Sequence, residues 1–124
     1  MNAIPVIVIM NEQHSLLKDQ VRVISKLDPK FTILNVPAAG WTYEEMLSVA
    51  DSLVVSSDDE HMTIVFVSPV PALLMILSRH DGITHKDGFS NLEVRVLHND
   101  NRVAKELPGG KIIHTVAPTG WMVV

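Results

Sequence analysis

Cysteine is absent from the 124-residue chain, which excludes a disulfide framework, a thiol nucleophile and any cysteine-held zinc or iron–sulfur site. Aromatic residues are scarce, at 5%, so there is little from which to build the stacked-aromatic platforms of single-strand nucleic-acid binders. Positive charge is outweighed. The formal net charge is −4, against the basic surface that duplex nucleic acid requires; a small anionic ligand remains open, because it needs only local positive groups. No glycine falls in a GxGxxG or P-loop pattern, which moves ordinary dinucleotide and nucleoside-triphosphate enzymes down the list and leaves no cofactor expected. Long apolar runs are missing as well. The run Ile4 to Met10 is too short for a signal peptide or a membrane span and no basic segment precedes it, so the expected setting is cytoplasmic, without membrane attachment.

What is present is aliphatic. Apolar residues make up 47% of the chain, mostly Val, Ile, Leu and Met, as suits a sheet buried on both faces. The length matches one domain, 1–124, able to bury roughly two thirds of the surface its unfolded chain exposes.

The chain is organised around one corner, Met62-Thr-Ile-Val-Phe-Val-Ser68-Pro-Val-Pro71-Ala-Leu-Leu-Met-Ile-Leu77, where a β-branched run stops and a helical apolar pattern begins. Ile4 to Met10 is an earlier strand, with Pro5 near its start where a missing amide donor does least harm. After Asn11-Glu-Gln-His14-Ser15, apolar residues at Leu17, Val21, Ile24 and Leu27 predict a helix that stops at Asp28-Pro29, with Ser15 as its N-cap. Phe31 to Val36 is a second strand. Thr42-Tyr-Glu-Glu45 has the spacing of a capping box, and Tyr43, Met46, Leu47, Ala50, Leu53 and Val54 trace the face of the helix it opens. Ser56 to Glu60 then reads as a solvated loop, and the corner supplies the third strand and third helix.

Asp81-Gly82 through Asp87-Gly88 is a polar loop with two turn signals. Leu92 to His98 alternates apolar and charged residues, a strand exposed on one face and placed toward an edge. Arg102 to Val116 reads as a hairpin closed by Pro108-Gly-Gly110, followed by a terminal strand, Trp121 to Val124. The order β-α-β-α-β-α-β over 1–98, with the hairpin and last strand over 99–124, predicts an α/β, Rossmann-like, mostly parallel sheet of order 2-1-3-4 carrying a C-terminal antiparallel β-hairpin.

In such a sheet the ligand lies at the carboxyl ends of the strands, where the order reverses between strands one and three. That edge collects Asn11, Gln13, His14 and Ser15 after strand one and Ser68 after strand three, with His98 and Arg102 after strand four beside them. Ser15, Ser68 and Thr42 are each explained singly as helix caps, and an Asn-rich loop as a turn; it is the cluster that points to a site. With Ser68 as N-cap, Pro69 and Pro71 fall at the first and third helical positions and offer no amide, so a phosphate cradle is not expected there. Six histidines are present, but their spacing does not make a metal site, and no metal is expected. His14 and His98 are the two brought to the ligand edge, where one could serve as acid or base. Arg102, Lys105, Lys111 and His114 concentrate positive charge on the hairpin, either to protect an edge strand or to reach a second subunit.

The residues Asn11-x-x-His14-x-Leu16-x-x-Asp19-Gln20 resemble a pattern of small CRISPR-associated proteins related to the CARF domain. The resemblance implies a Rossmann-like homodimer that binds cyclic oligoadenylate across its two-fold axis in antiviral signalling. Some members are metal-independent ring nucleases, in which a ribose 2′-hydroxyl attacks its own phosphate. The resemblance carries over Asn11 and His14, as the polar end of strand one, and Ser68 by its general position after a later strand; together with Gln13, Ser15, His98 and Arg102 from the strand edge these are the expected ligand-binding residues, with His14 and Ser68 as the catalytic pair. The chain departs from the pattern in its Ser-Pro-Val-Pro turn and its long hairpin. The alternative is a non-enzymatic interaction module that dimerises, or binds a protein partner, through the hairpin.

Overall fold

The computed structural model describes residues 4–80 and 91–124; the polar loop expected over 81–88 lies outside them. Along the chain run β1 (Val6–Asn11), α1 (Lys18–Leu27), β2 (Thr32–Val36), α2 (Tyr43–Asp59), β3 (Met62–Phe66), α3 (Pro71–Ser78), β4 (Leu92–Asn99), β5 (Arg102–Glu106), β6 (Ile112–Val116) and β7 (Trp121–Val123). The main sheet has the order β2-β1-β3-β4-β7. Its first four strands are parallel, while β7 pairs antiparallel to β4. β4 is therefore one strand in from the edge, and the terminal strand covers it. The hairpin β5-β6 forms a two-stranded sheet of its own. This is an α/β architecture compatible with a Rossmann-like fold.

The apolar runs sit where a doubly covered sheet needs them. In β3 all five residues are buried, because helices pack on both of its faces. On one side Ile9, Ile64 and Phe66 meet Ala50 and Leu53 of α2 and Leu73, Ile76 and Leu77 of α3. On the other, Val6, Val8, Met10, Val65 and Leu97 meet Ile24 of α1, with Trp121 and Val123 of β7 alongside. Alternate residues of β1 thus feed opposite cores, as the two-residue period of a strand dictates.

Several local expectations are corrected. Helix α1 starts at Lys18 with Leu17 at its N-cap. Ser15 lies outside the helix, and the capping work is done from within by Gln20, whose Oε1 accepts from the Leu17 amide at 2.9 Å. That contact draws Gln20 inside, so the buried face of α1 is Gln20 and Ile24 while Leu17, Val21 and Leu27 are exposed. Helix α2 runs on through the expected loop to Asp59, because Ser57 is buried and bonds back to the Val54 carbonyl at 2.6 Å. Its predicted capping box is present: Thr42 Oγ1 accepts from Glu45 N and Glu45 Oε1 from Thr42 N, at 3.2 and 3.0 Å. The inward face is Met46, Val49, Ala50, Leu53, Val54 and Ser57, with Tyr43 and Leu47 facing water. Helix α3 begins at Pro71, with Val70 as N-cap.

Candidate functional site

β1 and β3 are neighbours at the point where the strand order reverses, and one serine ties their ends. Ser68 follows β3 and is 5% exposed. Its backbone N–H donates to the Ile9 carbonyl at 3.2 Å, extending the ladder past the last paired residue. Its side chain is not a helix cap. Oγ accepts from the Asn11 N–H at 2.8 Å, and His14 Nδ1 lies 3.3 Å from the same oxygen. The local cap preference of serine lost to a donor 57 residues away, because an amide leaving the end of a buried strand must find an acceptor.

The loop between β1 and α1 is wired in the same way. Asn11 Oδ1 accepts from Gln13 N at 2.9 Å and the Asn11 carbonyl from His14 N at 3.0 Å, an Asx-type turn. Glu12 closes the loop against its neighbour: its N–H donates to the Val36 carbonyl at 2.8 Å, and its Oε1 accepts from Ala38 N at 2.9 Å. Asn11, Gln13, His14 and Ser68 are thus one bonded cluster. Ser68 Oγ, accepting from Asn11, still has a hydroxyl hydrogen and a second lone pair, so it can donate to Nδ1 or accept from it, and Nε2 is the His14 ring nitrogen left for anything that binds. Ser15 is exposed in the same loop.

The two remaining candidates are engaged elsewhere. His98 Nε2 pairs with Asp100 Oδ1 at 2.5 Å, and that carboxylate weakens any attraction for phosphate. Arg102 donates from Nη1 to the carbonyls of Asn99 and Asn101, at 2.6 and 3.0 Å, clamping the turn into the hairpin. Hydrogen bonds join neither residue to the cluster at Ser68.

Beside Ser68 opens a cleft of about 290 Å³ at the carboxyl ends of β3 and β4, walled by Phe66, Pro69, Pro71, Leu74, Val96 and Leu97. Ser68 is its one polar side chain. Because α3 starts at Pro71, Pro69 precedes the helix and only the first helical position lacks an amide. The expected amide-poor helix start is therefore confined to one residue, and the prolines contribute a rigid apolar wall.

Sequence reading passed over the residues that hold this edge to the rest of the molecule. Asn99 is 3% exposed; its Nδ2 donates to the carbonyls of Ala117 and Thr119 at 3.0 and 2.9 Å, and its Oδ1 accepts from Asn101 N at 2.8 Å. Asp19, in the first turn of α1, accepts from the N–H groups of Gly120 and Trp121 at 2.9 and 3.0 Å and pairs with Arg22. The Trp121 amide bond, then the Arg22 guanidinium, holds the Asp19 carboxyl below the usual aspartate value. Gly120 sits at φ +89, and a Cβ there would run into the Asn101 side chain. The Asn-Asp-Asn run at 99–101 is the signal the sequence offers for this junction. Among the described residues the Trp121 indole N–H is the one buried side-chain polar atom without a partner.

What fold and site define together is an α/β protein with a mostly parallel sheet and a polar, serine-tied junction at its strand-order reversal. Compared with protein-family models, curated proteins and solved structures, the chain finds no match in any of the three.

Proposed function

We propose that this chain binds cyclic oligoadenylate at the carboxyl edge of β1 and β3, as its resemblance to small CARF-related proteins implies. The observation that carries the reading is the Asn11–His14–Ser68 cluster, joined through Ser68 to an apolar cleft, which sets an imidazole beside a surface suited to a base. A cleft of about 290 Å³ is at the small end of ligand sites, which run from roughly 300 Å³ upward. It takes one purine, not a whole cyclic oligonucleotide, so the site is shared between two subunits. In this reading Asn11, Gln13 and Ser15 meet ribose and base and His14 meets phosphate, while Arg102, held by the hairpin turn, stands outside the cluster. His98 contributes least because Asp100 holds it.

Ring opening would take its nucleophile from the ligand itself. A ribose 2′-hydroxyl attacks the adjacent phosphorus, the 5′ oxygen leaves, and the hydroxyl proton is passed to it, giving a linear product with a 2′,3′-cyclic phosphate. His14 is the proton carrier, and Ser68 is a positioning residue that holds the ring through Nδ1. Ser68 itself is no nucleophile here, since its oxygen is buried and already bonded to the Asn11 amide.

The test is incubation with cyclic tetra- and hexa-adenylate in EDTA, read by melting temperature and by separation of products. A ligand-dependent rise that His14→Ala abolishes supports the site, and linear product adds catalysis. No rise with either ring overturns the proposal. The second reading, an interaction module, is favoured by one feature: the hairpin stands as its own sheet with every β5 residue exposed.

A further inference from the structure

An isolated two-stranded hairpin is at best marginally stable in water, and an open strand edge is a template for another chain. Here β5-β6 presents both liabilities. Val103, Ile112 and Val116 are 46%, 62% and 44% exposed, and neither strand is paired on its outer side with any described strand. We propose that β5 is a self-pairing edge: two copies of this chain join antiparallel through β5, centred on Ala104, to make a four-stranded sheet across a two-fold axis.

The register follows from the strand's own charges. Arg102 and Glu106 lie two residues either side of Ala104 on the same face of β5. A two-fold axis through Ala104 sets Arg102 opposite Glu106 of the partner subunit and Glu106 opposite Arg102 of the partner subunit, two complementary pairs from one operation. Val103 then faces the partner subunit's Lys105, whose methylene stem covers it. Ala104 meets Ala104 of the partner subunit, the smallest side chain at the closest point. Arg102 bonds its own turn through Nη1, which leaves Nε and Nη2 for the carboxylate.

β6 does not offer the same. A two-fold axis through its centre would set His114 against His114 of the partner subunit, Ile113 against Thr115 of the partner subunit and Ile112 against Val116 of the partner subunit, which covers apolar surface but brings no opposite charges together to fix the register. The inference does not require cyclic oligoadenylate to be the ligand, because the pairing is written in β5 alone.

The absence of cysteine makes a direct test possible. Directly opposed residues of an antiparallel pair hold their Cβ atoms close enough for a disulfide. Without ligand, Ala104→Cys is expected to give a disulfide dimer under mild oxidation at concentrations where Lys30→Cys and His114→Cys stay largely uncrosslinked. The unmodified chain is expected to have the mass of a dimer by light scattering. Glu106→Lys, which sets like charges together twice, is expected to raise the dimer dissociation constant at least tenfold while circular dichroism stays unchanged. A monomer at several hundred micromolar overturns the proposal. So does crosslinking at His114 in place of Ala104, or a Glu106→Lys dimer as tight as the original.

Discussion

Replacing Ser68 by alanine removes one oxygen and, by the geometry at the strand junction, two partners. The Asn11 N–H, 2.8 Å away, loses its acceptor, and His14 Nδ1 loses the hydroxyl 3.3 Å from it. A buried donor left without an acceptor costs about 1–3 kcal/mol. Ser68 is only 5% exposed, but Asn11 is half-buried, so water recovers part of the loss and the middle of that range applies, about 2 kcal/mol. For a chain of 124 residues the unfolding entropy of about 2.1 cal/mol/K per residue turns this into a fall of roughly 8 °C in Tm.

The assay is urea and thermal unfolding followed by tryptophan fluorescence. His14 is exposed, so His14→Ala alone should change stability by less than about 0.5 kcal/mol. If Ser68 tethers the imidazole, the double variant should fall short of the sum of the singles by roughly 0.5 kcal/mol. A Ser68→Ala protein within about 0.5 kcal/mol of the original would refute the tie between β1 and β3. Strict additivity with His14→Ala would refute the tether, and with it the positioning role assigned to Ser68.

Asn99→Ala should be the most damaging polar substitution, because three hydrogen bonds to backbone end on one buried amide; a loss of about 2–4 kcal/mol is expected, measured by urea midpoint. Leu73, fully buried between α3 and the sheet, should cost about 2–5 kcal/mol as alanine, and the same titration reads it. For Asp19 the sign is set by a carboxyl whose folded value lies below the ordinary 3.8. Its contribution is complete above that value and is lost as pH falls through the depressed one. Unfolding titrations below pH 4 should therefore show a shallower acid limb for Asp19→Asn than for the original, and an unchanged limb would count against the staple to Gly120 and Trp121.

The strands were legible because burial on both faces demands long aliphatic runs, and Val6 to Met10 and Met62 to Phe66 are little else. The strand order followed from handedness, with β7 the addition. Of the three expected caps Thr42 holds, and the other two fail for a physical reason. Ser15 and Ser68 have the right chemistry, but cap preference is worth only about 1 kcal/mol, and a side chain 57 residues away in sequence cannot be weighed from local pattern. Gln20 illustrates the converse: a polar residue on an apolar face turned out buried, because its amide oxygen caps its own helix. The bonds from Asp19 to Gly120 and Trp121 span more than a hundred positions, beyond anything periodicity reports. The Gly109-Gly110 turn was visible, since both residues need φ near +90, yet nothing in an alternating pattern says whether a hairpin joins the main sheet.

These long-range bonds share a form that bears on binding. Glu12 to Ala38, Ser68 to Asn11, Asp19 to Gly120 and Trp121, and Asn99 to Ala117 and Thr119 all join a side chain to backbone in another element. Each fixes a loop at or near the ligand edge, from β2 across to the hairpin root. A loop held by its own chain has little entropy left to lose, so a ligand meeting it is spared much of the ordering cost that weakens association. It also follows that these polar groups are already spent. What remains for a ligand at the switch point is the side chains of Gln13 and Ser15, the Asn11 Nδ2, His14 Nε2 and the apolar wall beside Ser68, a set that recognises a flat ring with nearby polar atoms far better than it recognises charge alone. A multiply charged ligand therefore needs most of its phosphates met from outside the cluster, by a second subunit.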